Sequence, residues 1–198
     1  TGYWQCKELA PPPPPVPAQP ARTSFAPTGD PIADRLAPSL VLVNFDMPFS
    51  VAGVTERNYH GTGVIVDAAR GLVAVDRNTV PIAVGDVRIT VAGSVEVPGR
   101  VEYVHPLHNL ALVSFDPRLL DGTPLRAAKL DTRELTPGEA VTVVGLGGDS
   151  RVRSIATTVA SIDELNLPLS RTLRFRDVNL EVATLVNAPG EFDGVIAG

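Results

Sequence analysis

The chain has 198 residues, of which 44% are hydrophobic, and its formal net charge is −5 at pH 7. This composition predicts a globular protein with one or two hydrophobic cores, and no apolar run is long enough to span a membrane. The acidic balance and an aromatic content of 5% argue against a nucleic-acid partner, because phosphate backbones attract basic surfaces and bases stack on aromatic rings. A single cysteine, Cys6, excludes an intrachain disulfide.

Residues 1–38 are predicted to form a proline-rich linker. They contain the run PPPPPVPAQPARTSFAPTGDP, which favours extended polyproline II because proline has no backbone N–H. The alternative is a ligand for an SH3-like groove. The opening TGYWQCKEL is interpreted as the end of a preceding domain. Because the chain begins with Thr1 and shows no targeting peptide, we expect it to be part of a longer protein.

From Ser39 onward, short runs rich in valine and isoleucine are separated by glycine, proline, aspartate and asparagine, which is typical of β-strands. No convincing helix is predicted. The strands fall into two groups, so the fold class is all-β, with two packed units at about residues 39–116 and 125–198. Strands are predicted at residues 39–45, 61–67, 72–75, 86–91, 94–104, 109–115, 140–146, 153–162 and 180–187.

The segment VTVVGLGGDS could indicate a dinucleotide-binding loop through Gly145, Gly147 and Gly148. That fingerprint requires a helix to follow, and here the next residues, RVRSIATTVASI, are rich in β-branched side chains. We therefore interpret the glycines as a strand end.

His105 and His108 have a spacing that could place two imidazoles on one metal ion if the segment were helical. The segment instead passes through Pro106 into a predicted strand, and His60 and Cys6 are remote in sequence. We interpret these histidines as turn or surface residues and predict no metal site.

Five arginines cluster in the second half of the chain and could bind an acidic peptide or a phosphate through forked hydrogen bonds. A solvated strand face and loop is the preferred interpretation. The five are Arg151, Arg153, Arg171, Arg174 and Arg176.

The segment GTGVIVDAARGLVAVDRNTVP, residues 61–81, is predicted to form two strands joined by a turn, followed by a short helical turn. Together with HPLHNLALV (105–113) and NAPGEFDGVIAG (187–198), it resembles the ordered motifs of the HtrA-type (DegP-like) trypsin-like serine proteases. In that family the three motifs carry the catalytic base, its orienting carboxylate and the nucleophile. The resemblance covers residues 39–198 and implies a trypsin-like double β-barrel, with the second barrel incomplete at the C-terminus.

At the three catalytic positions this sequence departs from the family. Asn78 occupies the histidine position, Asn109 the aspartate position and Phe192 the serine position. An asparagine amide does not accept a proton near neutral pH, and a phenyl ring has no nucleophilic atom to activate. The resemblance therefore implies a degenerate triad, with no catalytic residue and no cofactor.

The family's oxyanion segment GNSGG is GEFDG here. Gly190 and Gly194 are retained, whereas Glu191 and Asp193 add negative charge where an oxyanion would be stabilised. With Phe192, these residues are predicted to form the remnant of the oxyanion pocket or the wall of a groove.

The resemblance implies a pseudoprotease: a degenerate second unit of a tandem protein with PDZ modules and an active protease, of the kind associated with protein quality control. Its expected partners are a peptide or protein, or the PDZ and active protease domains of the same parent, with oligomerisation left open. Two alternatives are a serine-type peptidase with a site rebuilt around His105, His108 or Asp193, and a purely structural spacer. The compartment also stays open: the bacterial envelope or periplasm, or the nucleus for a fungal-type protein.

Overall fold

The computed structural model describes residues 23–49, 57–106, 108–120, 122–165 and 180–197. One helix, α1, spans Pro31–Leu36 and runs into a 3₁₀ turn at Ala37–Ser39, and a second 3₁₀ turn spans Pro117–Leu120. The strands are β1 (Leu40–Asp46), β2 (Asn58–Asp67), β3 (Leu72–Val75), β4 (Asp86–Val91), β5 (Val95–Val104), β6 (Ala111–Phe115), β7 (Ala140–Gly147), β8 (Val152–Leu165), β9 (Leu180–Leu185) and β10 (Phe192–Ala197).

The first six strands form a closed antiparallel barrel in the order β1-β2-β3-β6-β5-β4, with β4 pairing back onto β1. Alternating side chains from each strand point inward because successive residues of a strand face opposite sides. The barrel is filled by 17 buried apolar residues, among which Phe45, Ile65 and Ile89 are fully buried. The core therefore needs no disulfide to hold it.

Strand β1 serves two cores at once. Val41, Val43 and Phe45 point into the barrel, whereas Leu40 and Leu42 pack in a second apolar cluster outside it. This explains why β1 is buried on both faces although it belongs to an antiparallel sheet.

The second unit is a four-stranded antiparallel sheet in the order β10-β7-β8-β9, which forms an open half-barrel within the described residues. Val144 and Leu146 of β7 pack on Leu40, Leu42 and on Val64 of β2, so the sheet lies against the outside of the first barrel. The predicted all-β fold of two units is confirmed: a closed first barrel and, within the described residues, an open second sheet.

The prediction that no helix forms is wrong for α1. The Asp30 side chain accepts a hydrogen bond from the Ile32 N–H at 2.9 Å, and Pro31 occupies the first helical position, where its missing N–H costs nothing. Asp30 also accepts a hydrogen bond from the Ser154 hydroxyl at 2.6 Å, which ties the helix to β8. Residues 1–22 of the predicted linker lie outside the described residues.

Strand β10 was not predicted, because its sequence FDGVIA follows a proline and contains an acidic residue and a glycine. Elsewhere the predicted strands match the observed ones to within a few residues. In the part of the chain that the structure describes, no helix is long and apolar enough to cross a membrane.

Candidate functional site

The turn after β3 is organised by Asp76. Its carboxylate accepts hydrogen bonds from the backbone N–H groups of Asn78 at 2.7 Å and Thr79 at 3.0 Å, and from the Thr79 hydroxyl at 2.8 Å. The Val80 N–H donates to the Asp76 carbonyl at 3.1 Å, which closes a single helical turn. An aspartate directly after a strand favours this geometry, because its short side chain reaches the N–H groups two and three residues on. The turn leaves Asn78 exposed at its tip.

The Asn109 position is joined to this turn through Arg77. The Asn109 side-chain oxygen accepts a hydrogen bond from the Arg77 backbone N–H at 2.7 Å, and the Arg77 guanidinium donates to the His105 carbonyl at 2.7 Å. Burial lowers the pKa of Arg77, although an arginine stays protonated at neutral pH. The loops that carry the predicted base and carboxylate positions are therefore adjacent.

The third predicted position, Phe192, is the first residue of β10 and lies opposite Gly147 of β7. It is half-buried and lines a cleft of about 250 Å³. The predicted residues Gly190, Glu191 and Asp193 line the same cleft. Gly194, also predicted, lies within β10 opposite Gly145, where a Cβ atom would come within 2.6 Å of the Val144 carbonyl oxygen.

The buried hydroxyl of Thr62 joins the first barrel to the second sheet at this cleft. It accepts a hydrogen bond from the Leu146 N–H of β7 at 2.8 Å and donates one to the Asp193 carbonyl of β10 at 2.5 Å. Leu146 and Asp193 face each other in the β7–β10 register, so the hydroxyl of β2 bridges both strands. Thr62 therefore fixes where β10 begins relative to the barrel.

Several carboxylates lie in or near the cleft. Burial raises the pKa of the Asp193 carboxyl although the residue as a whole remains exposed, and the charge of Asp76 raises it further, while His60 lowers it. The charge of Asp76, in the turn after β3, therefore acts on Asp193, which lines the cleft. Glu191 differs, because it pairs with the Arg153 guanidinium at 2.8 Å.

The histidines occupy two separate places. The Nδ1 atom of His105 accepts the His108 backbone N–H at 2.9 Å, and the two ring centroids are 4.6 Å apart in the turn that precedes β6. His60 instead lines the cleft, where a Cβ atom on Gly148 would lie 3.5 Å from its Nε2. Among the described residues, no group of three His, Cys, Asp or Glu side chains is arranged to hold a metal ion.

The glycine-rich segment ends a strand, as predicted. Gly145 and Gly147 belong to β7, and the chain turns at Gly148 into β8, a strand where a dinucleotide site would need a helix.

Of the arginine cluster, Arg153 pairs with Glu191 and with Asp149 at 3.2 Å. Arg171, Arg174 and Arg176 lie outside the described residues.

Sequence reasoning missed three residues of the site: Thr62, Asp76 and His60. The aspartate that follows a strand in AVDRNT was a signal for the turn. The bridge made by Thr62 had no comparable signal, because it joins residues 84 and 131 positions apart in the chain.

No family model matches the chain. It is 36% identical over 193 residues to a PDZ domain-containing protein of Schizosaccharomyces pombe, and 36% identical over 189 residues to pro-apoptotic serine protease NMA111 of Pyricularia oryzae. Each match covers 93% of this chain, but the chain spans only 19% and 18% of those relatives.

Solved structures of HtrA and Deg proteases share the fold. The active form of the Rv3671c protease from M. tuberculosis superposes with a TM-score of 0.64 at 18% identity, over 95% of this chain and 78% of that one. Deg5 superposes with a TM-score of 0.59 at 13% identity, over 84% and 77%. The curated relatives show that this chain is homologous to one segment of the NMA111 serine proteases, and the solved structures show that it has the trypsin-like fold of the HtrA and Deg proteases.

Proposed function

We propose that this domain is a pseudoprotease: a non-catalytic, trypsin-like unit that binds an extended peptide or protein partner, or that regulates and assembles an active protease domain elsewhere in its parent. The observation that carries the proposal is the set of side chains at the three catalytic positions, Asn78, Asn109 and Phe192. On the resemblance, all three differ from the family's residues, whereas the barrel whose loops carry Asn78 and Asn109 is closed.

The chemistry of these side chains supports the absence of cleavage. The mechanism needs a hydroxyl that loses its proton to an imidazole, itself oriented by a carboxylate. Asn78 offers an amide, and the Asn109 oxygen is engaged by the Arg77 N–H. Loss of such a unit costs on the order of a million-fold in turnover, or roughly 8 kcal/mol of activation barrier.

The electrostatics of the cleft point the same way. An oxyanion pocket works because hydrogen-bond donors converge on developing negative charge. Here the carboxylates of Asp193 and Glu191 line the cleft, and the charge of Asp76 acts on Asp193. An oxyanion would be repelled there, whereas the backbone of an extended peptide could still pair with a strand edge. Phe192 would supply an apolar contact to such a peptide.

Hydrolysis is the first test. The purified chain is incubated with an unfolded casein substrate, beside an active trypsin-like protease, and fragments are followed by gel and mass spectrometry. We expect no cleavage above buffer. Cleavage that disappears in His105→Ala or His108→Ala would contradict the proposal and support the rebuilt site, whereas cleavage unchanged in both variants and removed by further purification would identify a contaminant.

A peptide-binding experiment distinguishes the pseudoprotease proposal from the alternative that the domain is a purely structural spacer. The chain is screened on an array of unstructured peptides, and bound sequences are measured again in solution with Phe192→Ala. We expect the variant to weaken binding, while Phe49→Ala, which removes a 45% exposed ring elsewhere, leaves it unchanged. A chain that binds no peptide, or two variants that behave alike, would favour the spacer.

The place of the domain in its parent also belongs to the proposal. Some of the similar proteins are named serine proteases, and one is named for a PDZ domain. We infer that this unit stands beside an active protease unit and PDZ modules, as a second, degenerate copy. Sequencing of the full gene tests this directly: an upstream unit with an intact His, Asp and Ser set is expected.

A further inference from the structure

A second cleft lies at the other end of the first barrel. Strand β3 runs from Leu72 to Val75, and Asp76 of the candidate site follows its last residue, whereas this cleft is lined by Arg70 and Leu72 at its beginning. Four residues of strand at about 3.3 Å each separate the two ends by roughly 13 Å. The cleft is therefore distinct from the site described above, and has a volume of about 450 Å³.

Three arginines from different segments surround this cleft. Arg70 lies in the turn between β2 and β3, Arg100 in β5, and Arg118 in the 3₁₀ turn after β6. Glu102 and Asp116 are the acidic residues of the lining, so one positive charge remains in excess on a chain whose net charge is −5.

Two of the arginines are already paired. Arg100 binds the Glu102 carboxylate at 2.6 Å, and Arg118 donates hydrogen bonds to both carboxylate oxygens of Asp116. Hydrogen bonds from Ser114 and then Arg100 lower the pKa of Glu102, and those from Arg118 lower the pKa of Asp116, so both carboxylates are ionised at neutral pH.

Arg70 is different. Its side chain is exposed and makes no hydrogen bond or close ion pair within the described residues, although its charge acts on the Glu102 carboxylate. A guanidinium offers five donors in a planar fork that matches a carboxylate. Leu72 is half-buried and lines the cleft beside the arginines, together with Phe115, whose ring is 5% exposed and belongs to the barrel core. Arginines beside an apolar side chain complement a peptide that carries both acidic and apolar side chains.

We propose that this cleft binds an acidic peptide segment, with a glutamate or aspartate carboxylate on the Arg70 guanidinium and an apolar neighbour against Leu72. The surface is independent of the candidate site, so it would serve a partner even if the pseudoprotease proposal failed.

The test uses a fluorescein-labelled peptide of four glutamates around a central leucine, with a glutamine version as its control. Anisotropy is measured at 20 mM and 300 mM salt. We expect binding of the glutamate peptide alone, and weaker binding at high salt because exposed charges are screened. Arg70→Ala should weaken it about threefold or more, whereas Arg35→Ala, an exposed arginine on α1, should not.

A gain of binding provides the second readout. Glu102→Gln removes a negative charge from the cleft but keeps an acceptor for Ser114, so the glutamate peptide should bind more tightly. A phosphoserine version of the peptide tests whether a phosphate binds as well as a carboxylate. Equal or tighter binding of the phosphoserine peptide that still depends on Arg70 would support the same anion-binding cleft. Equal binding of the glutamine peptide, equal loss in Arg70→Ala and Arg35→Ala, or no binding at low salt would overturn the proposal.

Discussion

The closed first barrel and the open second sheet differ in how each excludes water. The barrel pairs every strand on both sides and encloses 17 buried apolar residues. The second sheet has two edges within the described residues, and its cluster of six buried residues is completed by the outer face of β1 and by α1. The barrel therefore forms its core from its own residues, whereas the second sheet needs residues of the barrel to complete its core.

This difference locates the candidate site at the seam between the two units. Asp76 and the Asn78 turn belong to the barrel, whereas Phe192 and Asp193 belong to β10 of the open sheet. Thr62 is the hydrogen-bonded connection between them. The two sides of the cleft are thus held together by packing and by the Thr62 hydroxyl, through residues other than Asn78, Asn109 and Phe192.

Phe45→Ala should have the largest effect, because it opens a cavity in the barrel on which the second sheet depends. Removal of a fully buried aromatic ring costs about 3–5 kcal/mol in free energy of unfolding. Urea denaturation measures this, with Phe49→Ala as the exposed control. If the second sheet kept its structure after the barrel had unfolded, the two units would be independent and the comparison would be wrong.

Thr62→Val should have the next largest effect and lower the free energy of unfolding by about 1–3 kcal/mol. The methyl group that replaces the hydroxyl leaves the Leu146 N–H and the Asp193 carbonyl without their shared hydrogen-bond partner. Amide exchange should accelerate in β7 and β10 but not in β3 to β6. Thr90→Val, a half-buried threonine of β4, is the matched control. Equal acceleration throughout the barrel would show that Thr62 does not act at the seam.

Asp76→Ala should lower the free energy of unfolding by roughly 1–2 kcal/mol, because it removes the carboxylate that accepts hydrogen bonds from Asn78 and Thr79. Asp76→Asn should recover part of this, since its amide oxygen still accepts. Thermal unfolding of both variants checks the order. The turn would be held by other contacts if Asp76→Ala melted at the temperature of the unmodified chain.

The smallest effect is expected for Asp193→Asn, and its sign depends on pH. Because burial and Asp76 raise the pKa of Asp193 in the folded state, ionisation of this group opposes folding, and the penalty appears as pH rises through the folded pKa. The variant should therefore melt slightly higher than the unmodified chain at pH 7 and no higher near pH 3. A larger advantage at pH 3 would reverse the sign and refute the account of the cleft charges.

The strands of the barrel could be predicted because their alternating apolar residues are a local signal; the predicted bounds of β3 and β4 are those observed. Helix α1 was also predictable, since Asp30 and Pro31 form a helix start, but the surrounding prolines obscured it. The assignment of Asn78 and Phe192 to catalytic positions came from the order of motifs and stays a prediction. The approach of Asp193 to Thr62 and Asp76 could not be predicted, because it depends on how two sheets pack.

The central claim is that this family fold has no activated nucleophile, and covalent labelling of the folded chain tests it most directly. The purified 198-residue chain and an active trypsin-like protease are each treated with a fluorophosphonate probe, and the intact masses are measured. The account predicts a full adduct on the protease and an unchanged mass for this chain, because no hydroxyl is paired with a base at the Phe192 position. A stoichiometric adduct on a serine or threonine of the folded chain, lost on denaturation before treatment, would contradict it.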